Sequence, residues 1–116
     1  MRRRPAAVGY LRRDVSGARQ QWDEVLIRSL AQRFGYDLSK TVVFGAETED
    51  AVGRLMNVAR RLGADAVIVP STAHFDGDMP GELVQVCDVI TVEPEYTYAR
   101  TPSSPFAGEV RGPRPA

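Results

Sequence analysis

The stretch AAVGYLRRDVSG, at residues 6–17, decides how the rest of the chain is interpreted. It begins as a short apolar run, passes through Gly9 and Tyr10, and ends in arginines, an aspartate and a serine before a helical pattern starts. An apolar strand that leads into a polar loop and a helix start is where open α/β sheets place a ligand or an active site. We therefore expect the functional site at the carboxyl end of this strand.

Short apolar runs alternate with segments of helical periodicity along residues 5–93, and this alternation predicts an α/β fold. Each crossover between consecutive strands is long enough for a right-handed parallel connection. We predict a four-stranded, mainly parallel sheet flanked by helices. The predicted strands are residues 5–11, 40–45, 65–70 and 88–93, and the predicted helices are residues 18–34, 49–62 and 80–87.

The first predicted helix carries one apolar stripe at three- and four-residue steps, formed by Trp22, Val25, Leu26, Leu30 and Phe34. We expect this stripe to face the core, with Asp23 and Glu24 on the solvent side. Trp22 is interpreted as a core residue rather than a ligand platform. Ser16 and Thr48 are predicted to be the N-caps of the first and second helices.

The size and composition indicate a single α/β domain at residues 1–96 and a flexible, proline-rich tail at residues 97–116. The net charge is zero, so no overall attraction to nucleic acid or to anionic membranes is expected. No stretch is apolar enough for a membrane span, and we expect a cytoplasmic protein. The single cysteine, Cys87, lies in an apolar run and is interpreted as a buried core residue.

Arginines crowd the first thirteen residues, where no acidic side chain balances them; they are Arg2, Arg3, Arg4, Arg12 and Arg13. They form either a solvated segment or a patch that contacts phosphates. Through Arg2, Arg3 and Arg4 a weak contact with DNA is one predicted interaction.

Polar residues after the first and third strands are the candidate site, because the carboxyl ends of neighbouring parallel strands meet at one crevice. The candidate catalytic residues are Arg12, Asp14, Ser16 and His74, and the candidate binding residues are Tyr10, Arg12, Arg13, Ser71 and His74. The acidic run at residues 46–50 is interpreted as a helix start rather than as a metal site, and no cofactor is predicted.

Gly9, Tyr10 and Arg12 match the opening pattern of serine site-specific recombinases, the resolvase/invertase family. The chain resembles the catalytic domain of that family over about residues 6–93, and the resemblance implies a resolvase-like three-layer sandwich. The chain departs from the family pattern at several positions. Asp14 stands in place of the nucleophilic serine, with Ser16 two residues later, and His74 stands at about the position of one phosphate-binding arginine.

The departures predict a resolvase-like domain that has lost recombinase chemistry and acts as a binding or interaction module, with DNA association as one option. The alternative is an active enzyme that handles a phosphate ester or nucleotide in the crevice after strands one and three. A protein partner or a homodimer is also expected, because small α/β domains often cover an exposed sheet edge by pairing.

Overall fold

A computed structural model describes residues 4–102 and places them in an α/β fold, as the sequence predicts. The strands are β1 (Ala6–Arg12), β2 (Asp37–Phe44), β3 (Ala66–Val69), β4 (Asp88–Thr91) and β5 (Tyr96–Tyr98). The α-helices are α1 (Arg13–Ser16), α2 (Gln20–Arg33), α3 (Ala51–Leu62) and α4 (Gly81–Val84). Two 3-10 turns, Gly17–Arg19 and Thr72–Phe75, follow α1 and β3.

The strands form one five-stranded sheet in the order β2-β1-β3-β4-β5. The first four strands pair in parallel, as predicted, and β5 pairs antiparallel with β4. The chain passes from β1 to β2 on one side of β1 and then crosses back to β3 on the other side. The direction in which successive strands are added to the sheet therefore reverses between β1 and β3, although both strands run parallel. Open α/β sheets bind ligands at the carboxyl ends of strands at such a reversal.

Strand β5 corrects the predicted strand number and the predicted start of the tail at residue 97. Tyr96–Tyr98 pairs with β4, the Arg100 N–H donates to the Asp88 carboxylate at 2.7 Å, and the Thr101 N–H donates to the Val84 carbonyl at 2.9 Å. A three-residue strand is too short to produce a periodic signal, and it forms here because β4 offers a free edge. The rest of the predicted tail, residues 103–116, lies outside the described residues.

Two apolar clusters cover the two faces of the sheet and make the three layers. On one face α3 and α4 pack over a cluster that includes Tyr10, Leu55 and Val67. On the other face α2 packs through Ile27 and Leu30 over a second cluster of strand residues, Ala7, Leu11, Ala66, Ile68 and Ile90. Strands β1 and β3 alternate between the two clusters because successive side chains point to opposite faces.

The buried face of α2 differs from the predicted apolar stripe. Asp23, Ile27, Leu30 and Ala31 are buried, whereas Trp22 is 56% exposed and Val25 is 43% exposed. The interpretation of Trp22 as a core residue is therefore wrong. The helix carries two apolar stripes, and periodicity does not reveal which of them meets the sheet. Asp23 takes a core position because Ser16, seven residues earlier, satisfies its carboxylate with a hydrogen bond at 2.6 Å.

Neither predicted N-cap performs that role. The Ser16 hydroxyl donates to Asp23 instead, and Thr48 Oγ1 accepts from the Gly45 N–H at 3.3 Å. Helix α3 begins after Asp50, whose carboxylate accepts from the Gly53 N–H at 3.3 Å. Within residues 4–102, none of the helices has the length and apolar character that crossing a membrane requires.

Gly9 has no side chain, and this allows β1 to pack closely against β2 and α2. A Cβ atom at this position would lie 2.7 Å from Thr41 Oγ1 and 2.9 Å from Ile27 Cγ2. We expect Gly9→Ala to destabilise the domain by about 1–3 kcal/mol, because both contacts lie in packed surroundings. Urea denaturation measures this change. Ser39→Ala, at an exposed position of β2, is the control, and an equal loss of stability in both variants contradicts the explanation.

Candidate functional site

A cleft of about 300 Å³ opens at the carboxyl ends of β1 and β3, on the side of the sheet covered by α3. Tyr10 and Arg12 from β1 form one wall, the turn after β3 forms another, and the amino-terminal end of α3 closes the third side. The lining residues are Tyr10, Arg12, Gly45, Ala46, Thr48, Asp50, Ala51, Val52, His74, Phe75 and Asp76. The cleft lies at the reversal between β1 and β3, where the fold favours ligand binding.

Arg12 is the last residue of β1, and its guanidinium group is held between two carboxylates. Nε and Nη2 donate to the Asp14 carboxylate at 3.1 and 2.7 Å, and Nη1 donates to Asp76 Oδ1 at 2.7 Å. One cation and two carboxylates leave this group with a net charge of −1. The hydrogen bonds from Arg12 lower the pKa of Asp14 and keep its carboxylate ionised. The side chain best suited to bind a phosphate is thus already paired.

His74 is 3% exposed and fixes the turn after β3 to the end of β1. Its Nδ1 accepts a hydrogen bond from the backbone N–H of Arg12 at 2.9 Å. An unprotonated Nδ1 requires the neutral tautomer with its proton on Nε2. Burial lowers the pKa of His74, with a further lowering from the positive charge of Arg12. At neutral pH this imidazole is a structural acceptor that sits in the wall of the cleft.

Tyr10 forms an aromatic base for the cleft. Its ring stacks on Phe75 with centroids 5.1 Å apart and meets the edge of Phe44 at 5.9 Å. Burial raises the pKa of Tyr10, and the negative charges of Asp76 and Asp14 act in the same direction. The phenol therefore stays protonated at neutral pH and can offer a hydrogen bond to a ligand, but it does not supply a phenolate nucleophile.

Ser16 lies apart from the other candidate catalytic residues, because its hydroxyl is bonded to helix α2. The residue is buried, and its hydroxyl donates to Asp23 Oδ2 at 2.6 Å on the α2 side. Asp23 also faces the guanidinium of Arg19 at 3.8 Å. This hydrogen bond connects α1 to α2. Ser16 is therefore not among the residues that line the cleft.

The remaining predicted binding residues lie outside the cleft. Arg13 is exposed and pairs with Glu47 at 3.3 Å, and Ser71 accepts from the Ala73 N–H at 3.3 Å, which caps the 3-10 turn. The structure therefore brings Tyr10, Arg12 and His74 together at the cleft, with Asp14 attached through Arg12.

Sequence reasoning missed Asp50 and Asp76, the two carboxylates that line the cleft. Asp76 adopts a left-handed backbone with φ of 58° and precedes Gly77, with φ of 93°. The Asp-Gly pair is a turn signal in the sequence. It predicts the turn, but not the contact with Arg12 across 64 residues of chain.

Metal and thiol chemistry receive no support from the described part of the chain. Residues 4–102 contain no group of three His, Cys, Asp or Glu side chains arranged to hold a metal ion. Cys87 is buried in the α3-side cluster, and burial raises the pKa of its thiol to about 11. The thiol stays protonated at neutral pH, as expected of a core cysteine.

No family model matches the chain, and no curated protein or solved structure matches it either. The chemistry of the cleft is therefore inferred from its own side chains. These are a guanidinium neutralised by two carboxylates, a neutral imidazole, a protonated phenol and the start of α3. Together they provide hydrogen bonds to a ligand and supply neither a free cation nor an activated nucleophile.

Proposed function

We propose that this chain is a resolvase-like domain that has lost recombinase chemistry and acts as a binding module, with the cleft between β1 and β3 as its binding site. The observation that carries the proposal is the pairing of Arg12 with both Asp14 and Asp76. Transfer of a DNA phosphate places negative charge on oxygens that free cationic donors must stabilise. An arginine held by two carboxylates has little of that capacity.

The surroundings of Ser16 support the loss of chemistry. A nucleophilic serine must present its oxygen to the phosphorus atom, yet this hydroxyl is buried and donates to Asp23. The carboxylate at position 14 repels a phosphate, since its pKa is lowered and it stays ionised. No lysine or arginine occurs between Arg61 and Arg100, and the histidine in this interval is held neutral, so the segment after β3 contributes no cation.

The cleft suits a polar ligand that is neutral or cationic. Asp50 and Asp76 present carboxylates to it, and Tyr10 and Thr48 add hydroxyl groups.

We place the domain in the cytoplasm, where its single cysteine stays reduced. A weak, salt-sensitive contact with DNA through Arg2, Arg3 and Arg4 and a homodimer paired along the edge strand β2 remain predictions of the same proposal.

A DNA cleavage assay tests the loss of chemistry. We expect the full chain to produce no nicked or covalently joined DNA above background, and Ser16→Ala to give the same result. Supercoiled plasmid and labelled duplex DNA are incubated with each protein, and the products are resolved on denaturing gels after protease treatment. Nicking that requires the Ser16 hydroxyl, seen in the parent protein and lost in the alanine variant, overturns the proposal.

A phosphate-ester or nucleotide enzyme is the second candidate, because the start of α3 lines the cleft and helix amino-termini attract anions. Asp50 opposes it, since its carboxylate already accepts a hydrogen bond from the first turn of α3. Thermal shift with inorganic phosphate, a nucleoside monophosphate and a nucleoside triphosphate tests this candidate. Absence of stabilisation by all of these, at concentrations where binding should register, counts against the enzyme.

A further inference from the structure

Helix α2 presents an apolar strip to solvent on the side turned away from the sheet. Trp22 and Val25 are 56% and 43% exposed, and Leu26 is half-buried. We call these three residues the outer strip of α2. They recur at three- and four-residue steps, which is the spacing by which one helix contacts another.

The outer strip is separate from the cleft. The inward residues of α2 belong to the cluster that includes Leu11 and Ile68, on one face of the sheet. The cleft opens on the other face, where Tyr10 and Phe75 belong to the α3-side cluster. A partner on the outer strip and a ligand in the cleft therefore occupy different surfaces.

Basic side chains border the outer strip. Arg28 is exposed and has no ion-pair partner among residues 4–102. The side chain of Arg19 is 61% exposed, and its nearest carboxylate is the buried Asp23 at 3.8 Å. Of the two acidic residues of the helix, Asp23 is buried, and Glu24 is half-buried and accepts from Gln20 at 3.2 Å. The surface thus combines apolar area with two exposed arginines and one half-buried glutamate.

This combination selects among three kinds of partner. A second copy paired across a two-fold axis would bring the same arginines together, and like charges at an interface oppose association. DNA would satisfy the arginines, but its phosphates offer nothing to Trp22 and Val25. A helix with apolar residues on one face and carboxylates beside them matches both features.

We propose that the outer strip of α2 is a docking surface for an acidic amphipathic helix of another protein. Apolar side chains of that helix cover Trp22 and Val25, and its carboxylates pair with Arg19 and Arg28. Exposed aromatic residues and arginines are the side chains that contribute most at protein interfaces.

The only tryptophan of the chain, Trp22, reports directly on this surface. The probe is a synthetic peptide of about 18 residues, long enough to form a helix, with leucines spaced to form one stripe and glutamates flanking it. A matched peptide carries lysine at every glutamate position. We expect the glutamate peptide to shift the tryptophan emission of the full chain to shorter wavelength, saturably, with affinity about tenfold or more above that of the lysine peptide.

Three variants keep Trp22 as the reporter. Val25→Glu is expected to abolish the shift, and Arg28→Glu to reverse the preference toward the lysine peptide. Leu62→Glu, at a 39% exposed position of α3, is the matched control and is expected to bind like the parent. Circular dichroism establishes that each variant is folded, and Arg28→Glu tests the surface without adding charge to the apolar strip itself.

Four results overturn the proposal. They are no shift with either peptide, an equal shift with both peptides, an emission shift that grows with protein concentration alone, and a shift produced by duplex DNA but not by the glutamate peptide. The last two results would assign the strip to a second copy and to nucleic acid, respectively. All of these outcomes are independent of what the cleft binds.

Discussion

Replacing both Asp14 and Asp76 by asparagine is expected to create an inorganic phosphate site at Arg12 that the parent protein lacks. The change removes two negative charges from a group whose net charge is −1 and leaves it at +1. The asparagine amides remain polar and similar in shape, so the guanidinium keeps hydrogen-bonding neighbours while regaining its charge for an anion.

The measurement is the phosphate dependence of thermal stability at constant ionic strength. We expect the double variant to bind phosphate about tenfold or more tightly than the parent, equivalent to roughly 1.4 kcal/mol. The Asp78→Asn and Glu82→Gln double variant is the control. It changes the net charge equally, but its two positions are exposed and form neither a hydrogen bond nor an ion pair with Arg12. Equal phosphate binding by both double variants would mean that overall charge, not the pairing of Arg12, excludes the anion.

Replacing His74 by leucine is expected to lower stability by about 1–3 kcal/mol at pH 8, because the buried N–H of Arg12 loses its acceptor. His74→Asn is the matched variant, since its side-chain oxygen can take the place of Nδ1. We expect the asparagine variant to recover most of the loss. Urea denaturation of the three proteins gives the comparison, and equal losses in both variants would mean that the ring's packing outweighs its hydrogen bond.

The same residue predicts how stability depends on pH. The folded-state pKa of His74 lies below its usual value of 6.5, so the unfolded chain binds the proton first as the pH falls. The contribution of His74 is therefore complete above pH 6.5 and is lost as the pH falls through the folded-state pKa. His74→Asn removes this loss, whereas the loss due to Asp14 remains because it occurs below the usual carboxyl value of 3.8. An unchanged pH profile in His74→Asn would contradict the assignment.

Much of the fold can be predicted from local patterns. The continuous apolar runs of β1 and β3 show that both faces of these strands are buried, and their alternation with helices leads to a parallel sheet. Strand β5 cannot be predicted in this way, because three residues that form one edge pairing have no periodicity of their own.

The sequence predicts which residues lie close together where chain direction alone decides their position. Tyr10, Arg12 and His74 meet because the carboxyl ends of neighbouring parallel strands must lie together. The roles of these residues depend on partners that the sequence leaves open. Asp76 reaches Arg12 across 64 residues, and it changes an expected phosphate-binding arginine into a neutralised one.

Residues 6–17 show which features follow from the sequence and which depend on the tertiary structure. Its composition determines by itself that a buried strand passes through Gly9 and ends in charged residues, because apolar side chains leave water and charged ones stay in it. Only the tertiary structure decided that Ser16 is buried against Asp23 and that Trp22 faces solvent. Hydrophobic periodicity reports how apolar residues are spaced along a helix, whereas the side of the helix that meets the sheet depends on the other elements that pack there.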